Sequence, residues 1–266
     1  MATKKPAADK PVAAAKPAAK SAGTAVAVKK AVSGNVVDIR ARLAKEAADM
    51  VSRVGAPGGD AIRVTQDKKF EFPDGTKSAG PIQLVIVDFI SANSFYEGAY
   101  DPDNITSPAC FSIGSNPTQM VPSENSPLKQ ATSCAVCPMN QFGSAGKGKA
   151  CKNGRVLAVL PPGATADSPL WILKVSPSAL KAFDAYITSV VRHFQLPPVS
   201  VVTEVSFDDS VTYASLRFGN PTPNEDLEIC FSRKEEAMAR LLTEPDVSQF
   251  EAAAPPKKAT APARRR

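Results

Sequence analysis

Four of the chain's five cysteines fall in one stretch of the sequence, at Cys110, Cys134, Cys137 and Cys151. Cys134 and Cys137 form a CxxC pair, and the other two thiols flank it, which is a spacing typical of tetrahedral zinc sites. Because the chain has a single histidine, His193, such a site must consist entirely or almost entirely of cysteine. Four thiolates leave no coordination position for water, so the pattern predicts a structural Zn²⁺ ion and not a catalytic one.

The same cysteines have two other interpretations. Reduced cysteines are often small, buried core residues that bind nothing. A disulfide framework is disfavoured, because the N-terminal residues lack the continuous apolar stretch of a secretory signal. No stretch of the sequence is long and apolar enough to predict a membrane span.

Charge is distributed unevenly along the chain. Residues 1–33 and 252–266 are rich in lysine or arginine, alanine and proline, and their composition predicts two disordered basic tails. Residues 1–35 and 251–266 together carry a formal charge of +10 against +6 for the whole chain, so residues 36–250 sum to −4. Such tails either contact nucleic-acid phosphates without sequence preference or only keep the protein in solution.

One part of the central region departs from this acidic balance. From residue 125 to residue 166 there is no Asp or Glu, whereas five basic residues are present: Lys129, Lys147, Lys149, Lys152 and Arg155. A zinc ion with four thiolates carries a formal −2, which leaves this segment at about +3. The cysteine segment is therefore predicted to bind anions, with Lys147, Lys149, Lys152 and Arg155 as candidate phosphate contacts.

Aromatic residues accompany these cations. Tyr96 and Tyr100 follow the most apolar stretch of the chain, and Phe142 lies in the basic segment itself. Proteins that bind single strands without sequence preference combine a positive groove with aromatic faces on which bases stack. Tyr96, Tyr100 and Phe142 are the stacking candidates, and their alternative role is packing beneath a long insertion.

The elements that must position these residues are mostly strands. The apolar run at 82–90 predicts a central strand, and shorter strands are predicted at 61–65, 69–72, 155–160 and 170–175. Helical spacing is found at 36–54 and 177–194, the second beginning after Ser176 as a capping residue. Residues 91–154 have few periodic signals, so a zinc-stabilised insertion is expected at about 105–155.

Three further elements are predicted towards the C-terminus. Strands at 199–207 and 211–218 form a hairpin through Asp208, Asp209 and Ser210, and a short strand follows at 227–231. Residues 232–235 have the pattern of a capping box that starts a helix.

This order predicts an α+β, mainly β fold. We expect an OB-fold-like Greek-key barrel with a zinc-stabilised insertion and flanking helices, in one domain at 34–251. A mixed α+β sheet is the alternative.

The sequence provides no catalytic constellation. A single histidine excludes Ser/His/Asp and Cys/His sets, and His193 is expected to interact with the carbonyls at a helix end. Asp88 ends a predicted strand, while Asp208 and Asp209 are turn residues. We therefore expect no enzymatic activity, with a magnesium-dependent nuclease as the alternative that needs converging carboxylates.

Several motifs resemble those of one protein family. FEFPDG, IVDFISANSFYEGAYDP, PACFSIG and CAVCPMNQFGSAGKGKACKN, followed by VSPSALKAFDAYI and VVTEVSF, cover roughly residues 60–220. They resemble a family of tailed-bacteriophage proteins described as single-stranded-DNA-binding proteins, whose cysteine motif falls on Cys110, Cys134, Cys137 and Cys151. The chain departs from many such proteins in ending with three arginines instead of an acidic tail.

The resemblance implies a single-stranded-DNA-binding protein of phage replication or recombination, located in the host cytoplasm. Its partners would be single-stranded DNA and phage or host replication or transcription proteins. The alternative function is that of a zinc-containing protein-interaction or transcription-regulating factor, for which the acidic balance of residues 36–250 leaves room.

Overall fold

The computed structural model describes residues 39, 42, 43, 46, 60–98, 106–248 and 250. Contacts divide the chain into two units, residues 1–54 and 55–266. In the first unit the four described residues are helical and exposed, and they fall within the helix predicted at 36–54. The tails predicted at 1–33 and 252–266 lie outside the described residues. The architecture below belongs to the second unit.

The second unit is built on one mixed β-sheet. The strands are β1 Ala61–Val64, β2 Phe70–Glu71, β3 Lys77–Ser78, β4 Ile82–Phe95, β5 Cys110–Gly114, β6 Lys152–Leu160, β7 Trp171–Val175, β8 Val201–Phe207 and β9 Leu216–Pro223. Their order in the sheet is β3-β2-β1-β7-β6-β4-β8-β9, and β5 pairs separately with β4. Among the described pairings β1–β7 is parallel and the others are antiparallel. The α+β, mainly β class predicted from the sequence is confirmed.

Three α-helices cover the sheet: α1 Leu180–Phe194, α2 Leu227–Ser232 and α3 Lys234–Leu241. The first helix is preceded by a 3₁₀ turn at Pro177–Ala179, and Ser176 does not cap it, because its hydroxyl group lies 2.9 Å from that of Ser178. No helix among the described residues is long and apolar enough to cross a membrane.

The central strand β4 is apolar on both sides because a core lies on each face of the sheet. Leu84 and Ile86 pack with α1, whose buried face carries Phe183, Tyr186 and Val190. The alternate residues of β4 pack on the opposite face with α2 and α3, in a core that includes Val85, Val87, Ala158, Leu160, Cys230, Ala237 and Leu241. A strand buried on both faces has a near-continuous apolar sequence, as the run at 82–90 does.

The two ends of the sheet curl towards each other around α1. The ring of Phe70 in β2 stacks on that of Phe207 in β8, with the centroids 4.5 Å apart. Lys68, in the turn between β1 and β2, donates hydrogen bonds from Nζ to the carbonyl oxygens of Asp208 at 2.9 Å and Val211 at 2.7 Å. The sheet is therefore a half-barrel with α1 on its concave face.

The cysteine-containing region has more regular structure than the sequence predicted. The central strand continues beyond residue 90 to Phe95, and β5 runs antiparallel to this extension. The prediction failed because the inward-facing positions here are polar: Ser91, Asn93 and Ser112 are all buried. Buried polar side chains break the apolar alternation by which strands are recognised.

Two predictions near the C-terminus are wrong. Residues 227–232 form α2 and not a strand: Leu227, Ile229 and Phe231 alternate as in a strand, but Cys230 is the buried residue of α2. The capping box does not form, because the Ser232 hydroxyl donates to the Ile229 carbonyl oxygen at 2.7 Å, inside the end of α2. The connection between β8 and β9 is also longer than a tight turn and spans residues 208–215.

Gly154 allows β6 and β7 to approach closely. A Cβ atom placed on Gly154 would lie 2.8 Å from the carbonyl oxygen of Val175, a backbone atom that cannot rotate away. We expect Gly154→Ala to lower the free energy of unfolding by about 1–3 kcal/mol, measured by denaturant titration. Gly219→Ala is the matched control, because Gly219 also lies in a strand but a Cβ atom there would meet no other atom within 4 Å. Equal stability of the two variants would contradict the prediction.

Candidate nucleic-acid interface and metal centre

The four cysteines predicted as zinc ligands line one small cavity of about 10 Å³. All four are buried, with exposed fractions of 8% for Cys110, Cys134 and Cys151 and 6% for Cys137. The remaining lining is apolar or neutral and includes Asn93, Phe95, Phe111, Met139 and Asn140. No histidine or carboxylate of the described residues lines the cavity, so its potential metal donors are thiols.

Strand ends bring these cysteines to one place. Cys110 begins β5 and is paired with Phe95 at the end of β4, and Cys151 directly precedes β6. Cys134 donates its backbone N–H to the Met120 carbonyl oxygen at 3.0 Å, which ties the CxxC segment to the loop after β5. Three segments distant in sequence therefore converge on the cavity.

Side-chain amides hold the CxxC turn. The Asn140 Nδ2 group donates to the Cys134 carbonyl oxygen at 2.7 Å. Gln141 Nε2 donates to the carbonyl oxygens of Ala135 at 3.0 Å and Cys137 at 3.2 Å. These bonds fix the backbone of both cysteines, and such supporting contacts orient the ligands in metal sites.

The thiols interact electrostatically. Burial and, to a smaller extent, the neighbouring charges of Cys134, Cys137 and Cys110 together raise the pKa of Cys151 to about 12, while Lys149 opposes the shift. Four thiolates in one cavity repel one another unless a cation neutralises them. Nevertheless, no three His, Cys, Asp or Glu side chains of the described residues are arranged as a metal-ligand set. The donor types thus fit zinc, and the zinc site stays a prediction.

A basic loop projects next to the cavity. It comprises residues 141–150, in which Gly143 and Ala145 donate their N–H groups to the Gly148 carbonyl oxygen at 3.0 and 3.1 Å. Phe142 is 81% exposed at the start of this loop. Lys147 and Lys149 are also exposed, and Lys149 Nζ donates to Asn140 Oδ1 at 3.3 Å. We call residues 141–150 the basic loop.

A groove of about 340 Å³ lies on the face of the sheet that carries α2 and α3. Three of the candidate nucleic-acid-binding residues line it: Tyr96, Lys152 and Arg155. No Asp or Glu of the described residues lines it. Small and apolar residues line it as well, among them Ile90, Ala92, Ile113, Gly154, Val156 and Ile172. We call this feature the convex-face groove.

Two further cations that the sequence analysis missed, Lys174 and Arg240, also line the convex-face groove. Arg240 is engaged with acids, since its guanidinium lies 2.5 Å from Asp60 Oδ2 and 3.1 Å from Glu236 Oε1. Lys174 has no ion pair within the described part of the chain. A single cation in the otherwise apolar sequence LWILKV was the signal that could have identified it.

The predicted phosphate contacts differ in availability. Arg155 forms an ion pair with Asp184 of α1 at 3.1 Å, and its side chain is 13% exposed, so its charge is already neutralised. Lys152 is exposed and donates to the Lys149 carbonyl oxygen at 3.4 Å. Lys152 therefore connects the convex-face groove with the basic loop.

The aromatic candidates also divide between these two features. Tyr96 lines the convex-face groove and is 44% exposed; partial burial raises the pKa of its hydroxyl, and a hydrogen bond with Ser94 opposes the shift. Phe142 belongs to the basic loop. Tyr100 lies outside the described residues.

The carboxylates considered for catalysis make structural contacts. Asp88 accepts a hydrogen bond from the Phe89 N–H at 2.8 Å and lies 3.6 Å from Lys234 Nζ. Hydrogen bonds from Ser210 and the neighbouring Arg217 lower the pKa of Asp208 to about 2. Both groups stabilise local structure, one in the central strand and one in the loop after β8.

Comparisons with protein-family models, with curated proteins and with solved structures give no match to this chain. Its functional assignment therefore depends on the geometry of the cysteine cavity, the basic loop and the convex-face groove.

Proposed function

We propose that this protein binds single-stranded DNA with little sequence preference and has no enzymatic activity, as a phage replication or recombination protein. The observation that carries the proposal is the acid-free lining of the convex-face groove within the described residues, where Tyr96, Lys152 and Lys174 lie together. Positive charge without local carboxylates attracts a phosphate backbone, and an exposed ring offers a face for a base.

The basic loop extends this surface. Lys147 and Lys149 provide two more exposed charges, and Phe142 provides an aromatic face that is 81% exposed. Because Phe142 is exposed, it contributes little to the core, and its ring is accessible for stacking on a base. The bound single-stranded DNA would pass from the convex-face groove over Lys152 to the basic loop.

Structural zinc supports this arrangement in the proposal. Cys110, Cys134, Cys137 and Cys151 would hold the ion, which when bound would fix the insertion at about 105–155 on the ends of β4, β5 and β6. We further propose that the curled sheet is related to the OB-fold, a partly open barrel that commonly binds oligonucleotides. The long central strand and the curl around α1 favour that relationship.

The proposal is tested by salt-titrated binding of a single-stranded oligonucleotide and of the matching duplex. The chain without residues 1–33 and 252–266 is compared with the full chain, since both removed segments are basic. We expect the shortened chain to prefer the single strand. Four phosphate contacts, from Lys147, Lys149, Lys152 and Lys174, give a slope of log affinity against log salt of about −3. The proposal would be contradicted if the shortened chain bound the single strand and the duplex equally, or if it bound neither.

One observation favours the alternative function, a zinc-containing protein-interaction or transcription-regulating factor. Val136, inside the CxxC turn, is 70% exposed, close in sequence to the exposed Phe142. Several exposed apolar side chains on one segment, here residues 115–151, which we call the cysteine lobe, are typical of protein-binding surfaces. This alternative predicts that the shortened chain binds oligonucleotides weakly. It also predicts a protein partner whose binding is lost in the Val136→Ser variant.

A further inference from the structure

A cavity of about 1010 Å³ lies where β1 and β7 separate. Among the described residues, these strands pair at Ala61 with Ile172 and at Ile62 with Leu173. Beyond that point residues 63–66 and 174–176 diverge, and residues 212–214 with Leu216 complete the lining. We call this opening the β1–β7 cleft.

The β1–β7 cleft has the same chemistry as the convex-face groove. No Asp or Glu of the described residues lines it, and its cations are Arg63 and Lys174. Tyr213 contributes an aromatic ring to the lining and is 56% exposed. Hydroxyl groups on Ser176 and Thr212 add neutral hydrogen-bonding groups. This combination suits an anionic ligand with aromatic rings.

The cleft and the groove adjoin at the end of β7. Lys174 and Val175 line both cavities, and Lys174 is exposed and without an ion-pair partner among the described residues. A ligand that passes from one cavity to the other must bend around the edge of β7. Duplex DNA is stiff over about 150 base pairs, whereas a single strand follows such a turn readily.

We propose that the β1–β7 cleft is a second subsite for the same single-stranded nucleic acid, with Lys174 as the shared phosphate contact and Tyr213 as a stacking partner. This inference rests on the proposed function and extends the binding track away from the cysteine lobe. The single-stranded nucleic acid then runs along the basic loop, through the convex-face groove and into the cleft.

The test uses the full chain and oligothymidylates of two lengths, about 4 and about 12 nucleotides, within the range of site sizes known for single-strand-binding domains. We expect Tyr213→Ala to weaken binding of the longer oligonucleotide on the order of 5- to 150-fold, the equivalent of one lost stacking contact, and to leave the shorter one unaffected. Lys174→Met should weaken the longer one and reduce the magnitude of its salt slope by about 0.7.

Matched controls separate site effects from general ones. Phe231→Ala removes an aromatic ring of similar exposure, 54%, that lines neither cavity, and Lys181→Met removes an exposed lysine on α1. Both variants should bind like the wild-type chain. Because Tyr213 and Lys174 are exposed, their variants should unfold at the wild-type temperature. Tyr213 lines the cleft and not the groove, so Tyr213→Ala tests the cleft alone, whereas Lys174→Met reports on both cavities.

The possible results are distinguishable. If Tyr213→Ala binds the longer oligonucleotide as tightly as Phe231→Ala, the cleft is not a subsite, and the proposed function stands as long as Lys174→Met still weakens binding. If the wild-type chain binds neither oligonucleotide, both proposals fail. Displacement of the oligonucleotide by an equally charged oligoglutamate peptide at similar concentration would show a general polyanion surface, which also overturns the subsite.

Discussion

Purified without chelators, the protein is expected to contain one tightly bound zinc ion per chain, and the Cys137→Ser variant is expected to contain little or none. Serine retains the size of the side chain but replaces the thiolate with a hydroxyl group, which is a poor zinc ligand. Metal content is measured by elemental analysis and by native mass spectrometry. The full complement of ligands would be Cys110, Cys134, Cys137 and Cys151.

Loss of the ion should affect the cysteine lobe first. Structural zinc contributes on the order of 10 kcal/mol to the folding of small zinc-binding peptides, and residues 115–151 contain no described strand or α-helix that could replace it. The sheet should persist, because its two cores on either face do not include the four cysteines. Hydrogen exchange should therefore show lost protection in the lobe and retained protection in β4 and β6.

Cys230→Ser is the matched control for this variant. Cys230 is fully buried with α2 and α3 and does not line the cysteine cavity. The same chemical change there should lower stability without altering zinc content. Equal zinc content in Cys137→Ser and the wild-type chain would contradict the ligand assignment, and absence of zinc from all three proteins would contradict the site.

Counting reactive thiols under denaturing, non-reducing conditions separates the alternatives to zinc. After chelation we expect five free thiols, in agreement with the reduced state of all five cysteines in the structure. One or three free thiols would instead indicate disulfides within the cysteine lobe, because bonded cysteines are lost in pairs. Five free thiols with no metal would favour ordinary buried cysteines.

The sheet was predictable where apolar periodicity determines it. The run at 82–90 is apolar on both sides of β4, and the structure has a core on both faces there. The helix at 177–194 was predictable for the same reason, since Phe183, Tyr186 and Val190 recur at helical spacing and are buried. In each case the local pattern and the tertiary packing agree.

The prediction of strands from the sequence failed where the buried side chains are polar. Ser91, Asn93 and Ser112 are buried but polar, so the strands that carry them resembled loop sequence. Hydrogen bonds compensate for the burial of Asn93 and Ser112: Asn93 Oδ1 accepts from Asn153 Nδ2 at 2.6 Å, and the Ser112 hydroxyl donates to the Val121 carbonyl oxygen at 2.6 Å. These partners lie 60 and 9 residues away along the chain, and the contacts become visible only in the folded chain.

The sequence predicted which types of residue form the candidate site, but it did not predict how the fold arranges them. The sequence identified the cysteines and the acid-free segment, which follow from residue types alone. It did not show that Lys174, more than twenty residues beyond the last cysteine of that segment, lies with Tyr96 and Lys152 on one groove. Antiparallel pairing of β6 with β4 and β7 creates that arrangement.

Replacement of Phe142 in the basic loop should weaken single-strand binding without affecting the fold. Phe142 is 81% exposed, so Phe142→Ala should leave the unfolding temperature unchanged while binding weakens by roughly 1–3 kcal/mol, the range for one base–aromatic contact. Phe142→Leu distinguishes the mechanisms, because leucine keeps apolar area but has no aromatic face. If bases stack on the ring, leucine should bind as weakly as alanine; retention of wild-type affinity by leucine would contradict stacking.

The lysines of the same loop should act through charge. In the full chain, Lys147→Gln with Lys149→Gln should weaken binding at low salt and reduce the magnitude of the salt slope by about 1.4, since each phosphate contact on a single strand contributes about 0.7. Lys181→Gln is the control, because Lys181 is an exposed lysine on α1, outside the cysteine lobe. If the salt slope is the same in the double variant and the wild-type chain, the basic loop is not part of the binding surface. If the slope decreases in the double variant and not in Lys181→Gln, phosphates bind directly beside the cysteine cavity.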